Sequence, residues 1–244
     1  MITGAWKVFW DVFWTNRGYE RVLKEGLVNT LIIAISGLLI GTVIGTLISI
    51  VKVMPKYRAL PRVLNAFCNL YVNFFRGTPI VVQLLIAYYV LFPLLQWRVS
   101  SLATCVIIFG MNSGAYISEL MRSGIQSVDP GQMEGGRAVG MSFGATMLHI
   151  VVPQAVKNIL PALGNEFIAL IKDTSVVSFV AAVDLYKVFT DIGNIHYEYL
   201  VPYLVMALMY LIMVLIISGG IKIMENILAR SDRQKNGGKS RRSA

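Results

Sequence analysis

Residues 27–51 run for 25 positions without a Lys, Arg, Asp, Glu or His, and uncharged runs of similar length recur at 78–97, 99–118 and 199–221. About 20 apolar residues of helix cross the roughly 30 Å hydrocarbon core of a bilayer, so each run is long enough to span it. Inside lipid the backbone must satisfy its own hydrogen bonds, which only helices and closed barrels achieve. The runs lack the apolar/polar alternation of barrel strands. The chain therefore reads as an all-α membrane protein. Its composition agrees: 56% hydrophobic and 14% charged residues, with a mean hydropathy of +0.65, against roughly 25% charged in a soluble domain.

The number of crossings turns on Arg76-Gly77-Thr78-Pro79, which either separates two short spans or breaks one long helix over 60–97. Charge decides between them. With one broken crossing there are five spans, and Lys52, Lys56, Arg58, Arg62, Arg122, Arg137 and Lys157 share a side with seven more cations between Lys222 and Arg242. Only Lys7, Arg17, Arg21, Lys24, Arg98 and Lys187 face the other side. The positive-inside rule then puts the N-terminus outside and the basic C-terminus in the cytoplasm. We expect an interfacial segment at 1–22, one five-helix domain at 23–228 with a cytoplasmic loop at 127–153, and an irregular basic tail at 229–244. The net charge of +9 is thus placed for the inner membrane face, where it meets anionic lipid, and not for nucleic acid.

Smaller features fit this frame. Trp6, Phe9, Trp10 and Phe13 recur at helical spacing with Trp14 beside them, a stripe suited to headgroup level. No short apolar stretch ending in a small-residue cleavage site opens the sequence, so the first span is expected to act as its own insertion signal. Gly37, Gly41 and Gly45 form a ridge that permits close helix packing. Cys68 and Cys105 match no metal-ligand spacing and read as packing residues. His149 and His196 stand apart from each other and from any acid at catalytic spacing, so no enzyme chemistry is indicated. Gly238-Lys239-Ser240 lacks the glycine and strand of a phosphate-binding loop, because Arg233 stands where the first glycine belongs.

Residues 127–153 are not membrane. Asp129 as N-cap, Pro130 at the first helical position and Gln132 as its N3 partner predict a short helix. Gly140 supplies a left-handed stop, and Ser142 caps a second short helix. A plain connection needs two to eight residues, so a two-helix elbow implies a partner. The order Glu134-Gly135-Gly136, Gly140, then Ile150-Val151-Val152-Pro153 resembles the "EAA" signature of permease subunits of binding-protein-dependent ABC importers. Asn29-Thr30-Leu31, Phe75-Arg76-Gly77-Thr78-Pro79, Tyr116-Ile117-Ser118-Glu119, Arg122-Ser123-Gly124-Ile125 and Ile171-Lys172-Asp173-Thr174-Ser175 extend the likeness to the polar amino acid branch, which carries residues such as histidine, glutamine, glutamate, arginine or cystine. Two glycines stand in place of the signature's alanines, at an intrinsic helical cost of about 1 kcal/mol each.

The resemblance implies a bacterial inner-membrane subunit without a cofactor of its own. ATP and Mg would be bound by two copies of a partner ATPase, a second permease subunit would complete the pathway, and an external solute-binding protein would deliver a polar amino acid. Glu134 and Arg137 are then the polar contacts of the elbow on the ATPase and Met141 and Phe143 the apolar ones, with Asp129 and Gly140 shaping it. The plain alternative pairs Glu134 with Arg137 on a solvated face, for about 0.2–0.5 kcal/mol.

Ionisable groups at membrane depth normally face a partner or a wet cavity. Here they are Arg76, Glu119, Glu166, Lys172 and Asp173. Asp173, ahead of Thr174 and Ser175 at a break in the fourth span, is the first candidate for a substrate ammonium, the alternative being a salt bridge to Lys172 or Arg76. Arg76 or a helix N-terminus is the candidate for the carboxylate. Asn65, Asn69 and Asn73 lie with it on one stripe, lining a path or bonding between helices. Glu119 either lines the path or pairs with Arg122. An ion-coupled secondary transporter would use similar groups, but it is usually built from internal repeats, and the elbow pattern is not repeated.

Overall fold

The computed structural model describes residues 2–15, 17–54 and 59–240, with the backbone alone at 2–3 and 229–240. Lys56, Arg58, Arg241 and Arg242 of the charge count lie outside the described residues. All described elements are helical: α1 (Ile2–Thr15), α2 (Gly18–Val53), α3 (Ala59–Gly77), α4 (Ile80–Leu94), α5 (Ser101–Gln126), α6 (Pro130–Ala138), α7 (Phe143–Thr146), α8 (Val152–Asp173), α9 (Leu185–His196) and α10 (Leu200–Ser240). Three of these, α2, α5 and the Leu200–Leu228 part of α10, are long and apolar enough to span a bilayer alone. The pair α3 and α4 forms a fourth candidate, and the more polar α8 packs among them as the fifth helix of the bundle. Helix α10 continues through the basic tail to Ser240, where an irregular end was expected.

The α3–α4 pair bends by 104° at Arg76-Gly77-Thr78-Pro79. Pro79 has no N–H to continue the ladder, so carbonyls at the end of α3 need other donors. Buried Gln83 donates to the carbonyls of Phe75 (2.9 Å) and Thr78 (3.0 Å). Asn112 of α5 adds a bond to the Phe75 carbonyl at 3.2 Å and donates to the Gln83 side-chain oxygen at 3.0 Å. A polar plug thus fixes the angle of the break.

The closest packing joins α2 to α5. An added Cβ at Gly41 would stand 2.8 Å from the Ser113 Cβ and 3.0 Å from the Gly114 nitrogen. One at Gly45 would stand 2.8 Å from Ile117, and the exchange is reciprocal, since Gly110 and Gly114 receive Ile40 and Ile44. Each helix offers glycines to the other's side chains, so the backbones approach closely. At one end of the bundle, Phe9 and Val12 of α1 bury against Leu185, Val188 and Phe189 of α9. The aromatic stripe of α1 therefore divides: Phe9 turns inward, while Trp6, Trp10 and Trp14 stack in an exposed row with ring centroids 6.5 and 6.1 Å apart. Cys105 is buried and Cys68 half-buried, both as free thiols.

Candidate functional site

The elbow forms at the end of α5 as its capping residues demand. The Asp129 carboxylate accepts the Gly131 N–H at 2.8 Å, Gly140 sits at φ +88°, and Ser142 accepts the Ala145 N–H at 3.2 Å. The capping box is not closed, however. Gln132 instead accepts a bond at 3.3 Å from Gln154 of α8, which ties the elbow to the bundle. Glu134 and Arg137 do not pair. Arg137 donates to the Met141 carbonyl at 2.9 Å and braces the turn, which leaves Glu134 exposed without a partner among the described residues. Met141 is half-buried. Phe143 is turned toward an apolar groove of about 620 Å³ that it shares with Ile50 and Val53 of α2 and with Met54 just after it. The two glycines differ in kind: a Cβ at Gly136 would meet Thr146 at 2.4 Å, whereas one at Gly135 would meet nothing within 4 Å.

Between α3 and α5 lies a polar cavity of about 420 Å³, lined by Asn65, Asn69, Asn73 and Arg76 on one wall and by Lys52, Glu119, Arg122 and Gln126 on the other. The asparagine stripe lines this space, and none of its side chains bonds to another helix among the described residues. Glu119 is saturated: Lys52 of α2 donates to one carboxylate oxygen, and Arg122 donates to the other through both Nε (2.9 Å) and Nη2 (2.8 Å). Among the described residues Arg76 is held only by the Tyr116 ring, whose centroid is 5.2 Å from its guanidinium carbon.

The predicted substrate set therefore falls into two parts, because Asp173 and Thr174 do not line this cavity. On α8, Glu166 accepts the Ser113 hydroxyl at 3.0 Å, and Asp173 follows two turns further along the same helix. Asp173 is exposed and makes no ion pair with Lys172 or Arg76 among the described residues. Thr174 is fully buried with its hydroxyl on the Ile171 carbonyl (2.7 Å), and Ser175 serves the Lys172 carbonyl (3.0 Å). Those hydroxyls satisfy the backbone where α8 tightens into a 3₁₀ stretch over Thr174–Val180, and Thr174 is engaged there within the subunit.

Sequence reasoning named Glu166 as one of the candidates at membrane depth without giving it a particular task, and it used Asn29 and Thr30 only for the family likeness, missing that they are polar anchors. Asn29 donates to the Val183 carbonyl at 2.9 Å, and Thr30 accepts the Leu185 N–H at 3.3 Å. They tie the loop before α9 to α2. Beside them Asp184 caps α9 by accepting the Lys187 N–H at 2.9 Å, with Tyr210 donating at 3.4 Å. Burial pushes the Asp184 carboxyl up to about 6. No group of three or more His, Cys, Asp or Glu able to hold a metal occurs among the described residues.

A bundle with a capped elbow at one end, a sharply broken helix and unpaired charges along polar walls defines a polytopic membrane transport subunit. Residues 37–230 match the model of the family described as "Binding-protein-dependent transport system inner membrane component", and the chain belongs to that family. It is 37% identical over 164 residues to the arginine transport system permease protein ArtQ of Bacillus subtilis (strain 168), covering 67% of this chain and 75% of that one. It is 40% identical over 163 residues, with the same coverage, to a Rickettsia typhi permease assigned provisionally to glutamine transport, GlnP. The crystal structure of an amino acid ABC transporter with histidines superposes with a TM-score of 0.79 at 33% identity, over 87% of this chain and 96% of that one. The chain is thus a non-catalytic, multi-pass permease subunit for amino acid transport.

Proposed function

We propose that this subunit forms half of an ATP-driven importer for a polar amino acid, with the N-terminus outside and the elbow and basic tail in the cytoplasm. In this reading a second permease subunit completes the pathway and an external binding protein loads it. Two cytoplasmic ATPase subunits bind ATP and Mg and grip the elbow. The observation that carries the reading is Glu134: an exposed carboxylate without a partner among the described residues, on a short helix held rigid by Asp129, Arg137, Gly140 and Ser142. A rigid element with a free charge at its tip transmits force and offers a docking contact. Phe143, facing the apolar groove, serves the stiffness of the elbow, and Met141 beside it is the apolar contact.

Glu166 and Asp173 lie on one face of α8 about 10 Å apart along the helix, as seven residues at 1.5 Å each require. They supply two acceptors for an ammonium or guanidinium entering from the outer half, and neither forms an ion pair with a cation among the described residues. The expected result of Glu134→Lys is a complex that hydrolyses ATP without uptake, or loses its ATPase on purification, while the subunit stays in the membrane. Unchanged uptake by that variant in proteoliposomes overturns the docking assignment.

A further inference from the structure

Along α5 the charged groups are ordered. Ser113, which holds Glu166, comes first, then Tyr116 under Arg76, then Glu119, then Arg122 at the elbow end. A solute moving toward the elbow meets acids first and cations afterwards. In the cavity the only acid, Glu119, is already shared by Lys52 and Arg122, so the walls carry an excess of positive charge. Among the described residues Arg76 keeps its donors free, because a ring face occupies none of them. Asn73 stands one turn from it on the same wall, its side-chain amide without a partner among the described residues. A guanidinium fork with amide donors nearby is a carboxylate receptor, and about 420 Å³ holds an amino acid with water.

We propose that this cavity is a second station on the pathway, distinct from the acid row of α8, in which Arg76 receives the carboxylate of the amino acid on its way to the elbow side. The inference rests on the reading of the protein as an amino acid permease and adds where the second charge of the zwitterion is received. Attraction to the acids draws the ammonium in, and the cation excess then takes the carboxylate, so neither charge crosses the bundle unpaired. Glu119, by occupying Lys52 and Arg122, leaves Arg76 as the unpaired cation among the described residues that line the cavity, and keeps the station from holding its ligand too tightly.

The test uses the intact transporter with its ATPase subunits in phosphatidylcholine nanodiscs. Asn69→Cys places a thiol in the cavity, and its labelling by N-ethylmaleimide is read at residue 69 by peptide mass spectrometry, apart from Cys68 and Cys105. A millimolar mixture of the standard amino acids without cysteine is expected to slow labelling about tenfold, as occupancy of about nine sites in ten requires. The mixture of the corresponding methyl esters should not slow it, and adding Arg76→Gln should abolish the protection. Equal labelling with and without amino acids, equal protection by the esters, or protection that survives Arg76→Gln overturns the proposal. Protection by phosphatidylglycerol nanodiscs alone, with amino acids adding nothing, assigns the cavity to lipid phosphate and overturns it as well. Uptake by the unmodified complex separates the two levels. Uptake without protection removes this station only, whereas no uptake of any amino acid removes the underlying reading.

Discussion

Helix α5 presents two faces that obey opposite rules. Toward α2 it is dry, with glycines at 110 and 114 accepting Ile40 and Ile44 at van der Waals contact. Toward α3 it is wet, with Tyr116, Glu119 and Arg122 bordering open space that Arg76 and three asparagines line from across. One face locates the helix by shape and the other leaves charge available. The difference shows that the stiffness a transport site needs comes from the face that carries no chemistry.

The dry face should break first. Gly41→Leu drives a side chain into the Ser113 Cβ and the Gly114 backbone, where nothing flexible can yield. The expected cost is about 3 kcal/mol or more, seen as loss of a folded, monodisperse species in detergent. A variant as heat-stable as the parent would mean that α2 and α5 do not set the frame. On the wet face, Glu119→Gln leaves Lys52, whose side chain is only 8% exposed, opposite an amide. Breaking a buried pair costs several kcal/mol, discounted here because Glu119 is 20% exposed. About 2 kcal/mol is expected, read as a fall in Tm, and Lys52→Met in the same chain should recover part of it.

A third contrast sets the wet cavity against Asp184, a polar group whose partners are all protein. Its carboxyl is raised to about 6 in the fold from an ordinary value of 3.8. The folded state therefore binds the proton more tightly than the unfolded chain, and stability falls as pH rises from about 4 to about 6 and stays lower above that. Tm measured across that window should drop for the parent and flatten for Asp184→Asn; a parallel drop in both would exclude Asp184 as the cause. The smallest effects lie in the elbow. Gly136→Ala should destabilise by about 1 kcal/mol, because Thr146 blocks the new methyl. Gly135→Ala, into open space, should stabilise by up to about 1 kcal/mol from helix propensity. The same sign for both in paired thermal melts would show that Thr146 moves aside.

Much of this architecture is legible along the chain because lipid leaves few options. The uncharged runs, the glycine ridge of α2 and the caps of the elbow at Asp129, Gly140 and Ser142 are local patterns with local consequences, and the helices form where those patterns lie. Family membership was readable too, since the elbow signature depends on spacing alone.

The candidate site was legible only as a set of residue types. Asp173, Glu119, Arg76, Asn73 and Thr174 all stand near spans, yet tertiary packing divides them: Thr174 faces inward, Asp173 lies apart on α8 with Glu166, and the rest share the cavity. The pairing of Glu119 with Lys52, 67 positions away, and the freedom of Glu134, whose expected partner Arg137 bonds to Met141 instead, follow from how helices are placed against one another. Sequence alone determined which segments are helical and apolar, because the solvent imposes that residue by residue. Only the tertiary structure decided which charges are spent on each other and which are left for a ligand or a partner, because ion pairs within about 4 Å depend on helix rotation and register, which one-dimensional spacing does not specify.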